Sequence, residues 1–287
     1  MIYNSYQIAE IMNVNVSTVK RLTDSGKLKC QKTDGGHRKF HINDLKDFLK
    51  KNEKHATKIN LRYLVGTNKA LTNAIKNKDN KKLINYCFKS LISENPDEFI
   101  KLNNALMFKG YSLEILFDEI IIPALIRIGQ EWVDKNLLIT EEHLATERIK
   151  KFMFNLISNA QPKKTKYNAF CFTLADDKHD LPTYMAEIII NQNKNIKTFN
   201  LGPDLPIKDF IKLSKKVIPK IIFISIVYTE KISTVKKEID LLCKTFNNQD
   251  VKIFLSGNSA HNIGIKKENL IYIKSFEELN QNISNIS

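Results

Sequence analysis

Three groups of side chains in this sequence have the types and spacing to do chemistry. The first is basic. Ser17, Thr18, Lys20 and Arg21 fall close together, and Lys32 precedes a turn in which Gly35 and Gly36 are followed at once by His37, Arg38 and Lys39. Hydroxyls and cations in such a set suit the base edges and phosphate oxygens of duplex DNA, and paired glycines let a turn lie close to its backbone. The second group is Trp132, followed after nine residues by Glu142-His143. Taken alone, that spacing also fits a core indole beside an acid-rich helix start. The third group is distributed: Asp177 and His179 stand two apart, and Gly202, Ser225, Val227, Ser256 and Gly257 come later, near the ends of apolar runs. Ligands of α/β sheets bind at the ends of strands, although a lone His in an acidic loop is ordinarily a solvated surface residue. The sequence contains no separate catalytic triad, metal cluster or phosphate loop, so a regulator is expected and not an enzyme.

Composition supports a polyanion partner. The 287 residues carry a formal net charge of +14, and 43% are hydrophobic, enough for packed cores in two or three domains. Lys and Asn are abundant throughout, so part of the charge is compositional. Cys30, Cys87, Cys171 and Cys243 are widely spaced with no CxxC pair, as in a reducing cytoplasm. The first residues lack the basic start and apolar run of a secretory signal, and no run reaches about 18 apolar residues. A cytoplasmic protein with no membrane partner is expected.

The elements that must position these groups follow from periodicity. Ile8, Ala9, Ile11 and Met12 share one face of a helix over Ser5–Met12. Asn13-Val14-Asn15 makes a tight break, and a second helix opens at Val16 or Ser17, with Ser17 the N-cap and Gly26 just past the end. Strand-like pieces at Leu28–Lys32 and His37–His41 form a hairpin wing, and a capped helix over Asn43–Leu49 closes a winged helix-turn-helix at residues 1–51. Polar, Lys-rich linkers are expected at Lys50–Lys58 and Asn159–Asn168. Residues 59–160 read as a four-helix bundle. Its apolar faces are Leu83/Ile84/Cys87/Leu91 and Phe99/Leu102/Ala105/Leu106, then a helix capped by Ser112 and another starting near Thr140. Residues 167–287 alternate five apolar strands with helices, a flavodoxin-like (Rossmann-type) parallel sheet of order 2-1-3-4-5. The fold class is thus multidomain, α and α/β.

Two resemblances sharpen these expectations. The run STVKRLTDSGKLKCQKTDGGHRKF resembles the DNA-binding domain of MerR-type regulators and their excisionase-like relatives. It implies that Ser17, Thr18, Lys20 and Arg21 face the major groove, and that Lys32, His37, Arg38 and Lys39 grip the backbone or minor groove. Leu22 stands where a Trp is common, a change expected in the core.

The segment RIGQEWVDKNLLITEEHLATERI resembles the helical cap of cobalamin-binding domains in light-responsive MerR-type regulators and in methionine synthase relatives. The later segment, with Asp-x-His and the LGPDLP run, resembles the cobalamin-binding fold. The resemblance implies adenosylcobalamin in a cleft between cap and sheet. Trp132 would lie over the upper axial ligand, Glu142 would bond the adenosyl ribose and His143 would support it. His179 would be the lower axial cobalt ligand, held in tautomer by Asp177. Ser225, beside Val227, would bond the buried nucleotide tail, Gly257 would let the backbone pass close to it, and the run containing Gly202 would shape the adjoining loop. This sequence departs from the pattern at Pro182 and Ser256, which replace glycines, at Val227, which replaces Leu, and at Val133, where light-sensing relatives often carry His. The implied function is a light-responsive repressor that binds operator DNA as a homo-oligomer, dimer or tetramer. Two other readings stand beside it: a ligand-independent regulator whose degenerate domain serves oligomerisation, and a corrinoid methyl-transfer protein.

Overall fold

A computed structural model describes residues 2–158, 165–284 and 286. The chain forms two compact units, Met1–Asn159 and Ala160–Ser287. Of the linker expected at Asn159–Asn168, residues 159–164 lie outside the described residues, while Tyr167 and Asn168 already belong to a strand.

The first unit begins with strand β1 (Ile2–Asn4), which no local pattern in the sequence marks. It leads directly into α1 (Ser5–Met12). Asn4 Oδ1 accepts from the Gln7 N–H and Gln7 Oε1 accepts from the Asn4 N–H, each at 2.9 Å, so two otherwise orphaned donors are satisfied reciprocally. Asn13, at φ 53°, ends the helix, and Ile8, Ala9, Ile11 and Met12 are buried as expected. Helix α2 (Val16–Asp24) starts one residue ahead of the expected Ser17 cap. Asn15 takes the N-cap position and Ser17 lies in the first turn. The wing strands are shorter than expected, β2 (Gln31–Lys32) and β3 (Arg38–His41), and α3 (Ile42–Lys51) follows. β1 pairs antiparallel with β3, placing Tyr3 opposite Phe40, so the wing is a three-stranded sheet of order β1-β3-β2.

The expected linker at Lys50–Lys58 contains a short helix, α4 (Glu53–Ala56), and its first two residues belong to α3. Next come α5 (Leu61–Val65), α6 (Lys69–Asn77), α7 (Asn80–Ile92) and α8 (Asp97–Phe108). The helix capped by Ser112 is not continuous. α9 (Leu113–Leu116) passes through a π-helical stretch, Phe117–Ile121, into α10 (Ile122–Val133). Pro123 explains the change: it has no N–H to donate, and its ring crowds the carbonyl four residues back, inside the π stretch. α11 (Ile139–Ser158) starts one residue before Thr140, with Glu141 Oε2 accepting from the Leu138 N–H at 2.7 Å. Buried Arg148 on α11 donates to the carbonyls of Ser90 and Leu91, closing the C-terminal end of α7.

Within this unit the winged helix-turn-helix and the helices share a core. Asn104 Nδ2 on α8 donates to Tyr3 Oη at 3.0 Å, with both residues buried, and the Tyr3 and Phe108 rings lie 6.3 Å apart. The Asn60 N–H donates to Ile11 O and Lys109 Nζ donates to Ala56 O. Burial pushes the Tyr3 hydroxyl well above its ordinary range, so it stays neutral.

The second unit is an α/β sandwich: β4 (Tyr167–Leu174), α12 (Leu181–Ile190), β5 (Ile196–Leu205), α13 (Ile207–Ser214), β6 (Ile221–Ser225), α14 (Ile232–Thr245), β7 (Lys252–Ser256), β8 (Leu270–Tyr272) and α15 (Phe276–Ser284). The short helix expected at Ala260–Ile265 is a single 3₁₀ turn, Ala260–Asn262. All strand pairs are parallel and the order is β5-β4-β6-β7-β8, the expected 2-1-3-4-5. Phe170, Phe172, Ile222, Ile224, Ile253 and Leu255 bury one face under α13 and α14. α12 and α15 pack together on the other face, where Phe276 stacks on Phe223. With both faces covered, the exposed ends of the strands are where polar groups gather.

Tyr3→Phe removes the acceptor for Asn104 without emptying the core. It should destabilise the first unit by about 1–2 kcal/mol, read by denaturant unfolding followed through the fluorescence of Trp132, the single Trp. An unchanged midpoint would show that the bond contributes nothing to joining the two parts.

Candidate functional site

The basic face is assembled on α2 and the wing. Ser17, Lys20, Arg21, Lys32, His37 and Lys39 are exposed, and Thr18 is half-buried. The wing turn is built by Thr33: its carbonyl accepts from the Gly36 N–H, its N–H donates to His37 O and its hydroxyl accepts from the His37 N–H. Gly36, at φ 76°, takes the left-handed conformation this turn requires. Arg38 is placed differently from its neighbours. Its side chain is 17% exposed and its Nη2 lies 2.6 Å from Asp24 Oδ1, at the end of α2. Arg38 therefore ties the wing to the groove helix. Lys27 and Lys29, in the loop between them, are exposed as well and extend the basic surface. Leu22 is half-buried, at the edge of the core.

The Trp132 group flanks the loop between α10 and α11. Trp132 is the next-to-last residue of α10, Glu142 lies in the first turn of α11 and His143 follows it. Glu131 shapes the loop by accepting from Asn136 and from Arg127, and Lys135, at φ 62°, turns it. His143 Nε2 lies 3.6 Å from Glu142 Oε2, and Glu142 Oε1 accepts from Thr146 Oγ1 at 3.1 Å. Trp132, Val133, Leu138, Ile139 and Leu144 are all exposed, so this corner of the first unit presents apolar surface to solvent. Such a cluster is unusual on a protein face that binds nothing.

In the second unit the residues at the strand ends converge on Asp177. Its carboxylate is almost fully buried. Oδ1 accepts from the His179 N–H at 3.0 Å and lies 2.8 Å from His179 Nδ1; Oδ2 accepts from the N–H groups of Val227, at 2.8 Å, and Tyr228, at 3.4 Å. Burial alone would raise the Asp177 pKa, but the bonds from the His179 ring, the His179 backbone and the Val227 and Tyr228 backbone outweigh it and hold the carboxyl below its ordinary range. An ionised Asp177 against Nδ1 places the imidazole proton there, which leaves Nε2 as the basic nitrogen of the neutral ring. The His179 side chain is 58% exposed.

The loop that carries this pair is stitched to the LGPDLP run. Thr173 Oγ1 donates to Asp177 O and accepts from the Asp204 N–H, while Asp204 Oδ1 accepts from the Asp176 N–H. Gly202, at φ 78°, donates to Asn200 Oδ1, which also accepts from Thr183 Oγ1. Ser225 is fully buried at the end of β6, and its Oγ has no hydrogen-bond partner among the described residues. Ser256 is half-buried, and its carbonyl accepts from the Ile226 N–H. At Gly257 a Cβ would collide with the Ile226 carbonyl, and φ is 100°; the backbone just past β6 already demands this glycine. Pro182 lies in the first turn of α12, where its missing N–H costs no helical bond. Thr173 and Tyr228 join the site through bonds to or from backbone groups that only their nearness in sequence to Asp177 and Val227 marks, and Asp204, inside the LGPDLP run expected to shape the adjoining loop, joins it through its N–H and its carboxylate. Among the described residues no cluster of three or more His, Cys, Asp or Glu could hold a metal, and no helix is long and apolar enough to cross a membrane.

Comparison with known proteins bears on the first two of these three assemblies. A helix-turn-helix domain family matches residues 2–53, and a B12 binding domain family matches residues 83–157, the stretch that contains Trp132, Glu142 and His143. No curated protein matches the chain. Among solved structures, a monomethylamine corrinoid protein from Methanosarcina barkeri superposes with a TM-score of 0.56 at 14% identity, over 72% of this chain and 100% of its own, and shares the fold. A methanol:cobalamin methyltransferase complex from the same organism gives 0.36 at 15% identity, over 71% and 79%. A cobalamin-binding protein from Desulfitobacterium hafniense gives 0.37 at 16%, over 80% and 99%. This chain therefore joins an N-terminal helix-turn-helix domain to a B12 binding domain, the combination of a DNA-binding regulator that also binds a corrinoid.

Proposed function

We propose that this chain is a transcriptional repressor that takes adenosylcobalamin as its ligand and light as its signal, and whose oligomeric state sets its grip on operator DNA. The observation that carries the corrinoid part is the buried Asp177 carboxylate, which orients an exposed imidazole at the carboxyl end of a parallel sheet. His179 Nε2 would ligate the cobalt. The fully buried Ser225 Oγ, without a partner among the described residues, would bond the nucleotide tail, which supplies the partner a buried hydroxyl needs. Trp132 would cover the adenosyl group, Glu142 would bond its ribose and His143 would hold Glu142. Bound adenosylcobalamin supplies a cobalt–carbon bond that light can break. Loss of the adenosyl group would remove the contacts offered by Trp132 and Glu142 and would shift the equilibrium between protein forms by the difference in contact energy. Heads gathered on adjacent operator repeats would bind with avidity, which dissociation removes. Val133, exposed beside Trp132, offers no imidazole to the cobalt after illumination.

A second reading keeps the fold without the ligand, as an oligomerisation module. Gly257 favours it, because Ile226 requires that glycine whether or not a nucleotide tail is near.

Purified in the dark with adenosylcobalamin, the protein should keep a corrin spectrum through gel filtration, and illumination should change it. Loss of all cobalamin would replace the first reading with the second. His179→Ala should shift the axial-ligand bands; an unmoved spectrum would remove His179 from the role. Ser225→Val should weaken cobalamin retention about tenfold, the value of one buried hydrogen bond, without moving those bands. On DNA, Lys39→Ala should lower the slope of log K against log salt by about one. Arg38→Ala, already paired with Asp24, should weaken binding while changing the slope less.

A further inference from the structure

The two helical layers of the second unit differ sharply in charge. On one side of the sheet, α13 and the turn that ends it carry Lys208, Lys212, Lys215 and Lys216 at i, i+4, i+7 and i+8, one exposed helical face. α14, packed beside α13, adds exposed Lys236 and Lys237. Lys212 is paired with Asp209 and Lys244 with Asp240. Lys208, Lys215, Lys216, Lys236 and Lys237 have no ion-pair partner among the described residues. On the other side, α12 and α15 contain no Lys or Arg at all; their charged residues are Glu187, Glu277 and Glu278. Uniform enrichment in Lys would load both layers alike. Concentration of unpaired cations on one layer of a single small unit is the footprint of a polyanion.

We propose that the α13/α14 layer is a second DNA-contacting surface, one that lies against duplex phosphates beyond the site held by α2 and the wing. The inference rests on the DNA-binding reading. Its chemistry is suited to backbone contact and not to base readout: every cation here is a Lys, a mobile point charge without the planar fork that reads guanine edges. Tethering to a helix-turn-helix in the same chain makes even weak phosphate contacts count, because the second contact is intramolecular. The layer should therefore add affinity and salt sensitivity without adding sequence preference.

The test uses full-length protein and a random-sequence duplex, with Kd measured across a salt series. The variant replaces Lys208, Lys215, Lys216, Lys236 and Lys237 by Gln. All five side chains are exposed, so the unfolding midpoint should hold; the milder pair Lys208→Gln with Lys236→Gln guards against a poorly folded variant. At about 0.9 per phosphate contact, the five changes should reduce the slope by about two or more and weaken binding at least tenfold at moderate salt. The ratio of operator to random-sequence affinity should stay constant. Five Lys→Arg replacements should preserve the slope. A Gln variant with the wild-type slope overturns the proposal. If that variant also loses concentration-dependent self-association, the layer belongs to a second copy of the chain instead. Wild-type protein that binds no duplex overturns the DNA-binding reading itself, whereas normal binding with an unchanged slope overturns this inference alone.

Discussion

One buried carboxylate organises the end of the sheet. Asp177 sits where an ionised group is costly, and it stays ionised because its two oxygens accept from the His179 backbone, the His179 ring and the first amides after Ile226. The same group thereby fixes the turn after β4, the orientation of the imidazole and the exit from β6. Because its folded pKa lies below its ordinary value, the stabilisation it provides is fully present above the ordinary carboxylate range and is lost as pH falls through the folded value. Thr173 and Asp204 bind the same turn to the exit from β5. Three strand ends are thus locked to one another through side-chain–backbone bonds, which is what a rigid ligand platform on loops requires.

Why such a platform forms at this edge follows from the parallel sheet. Crossover helices cover both faces, so the interiors of β4, β6 and β7 are apolar on both sides and can hold no chemistry. Polar side chains collect where the strands run out. That logic made Asp177, His179 and Ser225 legible from the sequence, since each lies at or just past the end of an apolar run. It also made the 2-1-3-4-5 order a sound expectation. Gly257 was legible as a residue, but one demand on it was not: the Ile226 carbonyl stands where its Cβ would be, a contact between two strand exits that no local pattern reveals.

The less legible features share one property: each depends on a partner distant in sequence. β1 is three residues long, and only its pairing with β3 makes it a strand. Arg38 looked like its neighbours His37 and Lys39, but Asp24 claims its guanidinium. Ser17 has the side chain of an N-cap, yet the break after α1 is short enough that Asn15 takes the position and Val16 opens the helix. The π-helical stretch before Pro123 was indicated by the proline but hidden by an unbroken apolar periodicity from Leu113 to Ile128. Short-range rules see caps, turns and faces; they do not see which distant group completes a charge or a strand.

The helix-turn-helix is equally dependent on what lies beyond it in sequence. Its first strand supplies Tyr3, whose hydroxyl and ring are seated on Asn104 and Phe108 of α8, and the end of α1 is bonded to the segment that opens α5. α8 packs on α7, and α7 packs on both α10 and α11, the helices that carry Trp132, Glu142 and His143. Packed cores of this kind deform in discrete steps and do not bend continuously. A head so seated cannot reorient independently of the helices that hold it. An event at the Trp132 corner therefore has two ways to reach DNA: it can break the Tyr3–Asn104 seat, which costs a buried hydrogen bond and an apolar contact, or it can leave the first unit intact and change where whole units are placed. The second breaks no contact inside the folded unit, so under the proposed function the grouping of intact heads is the energetically cheaper route.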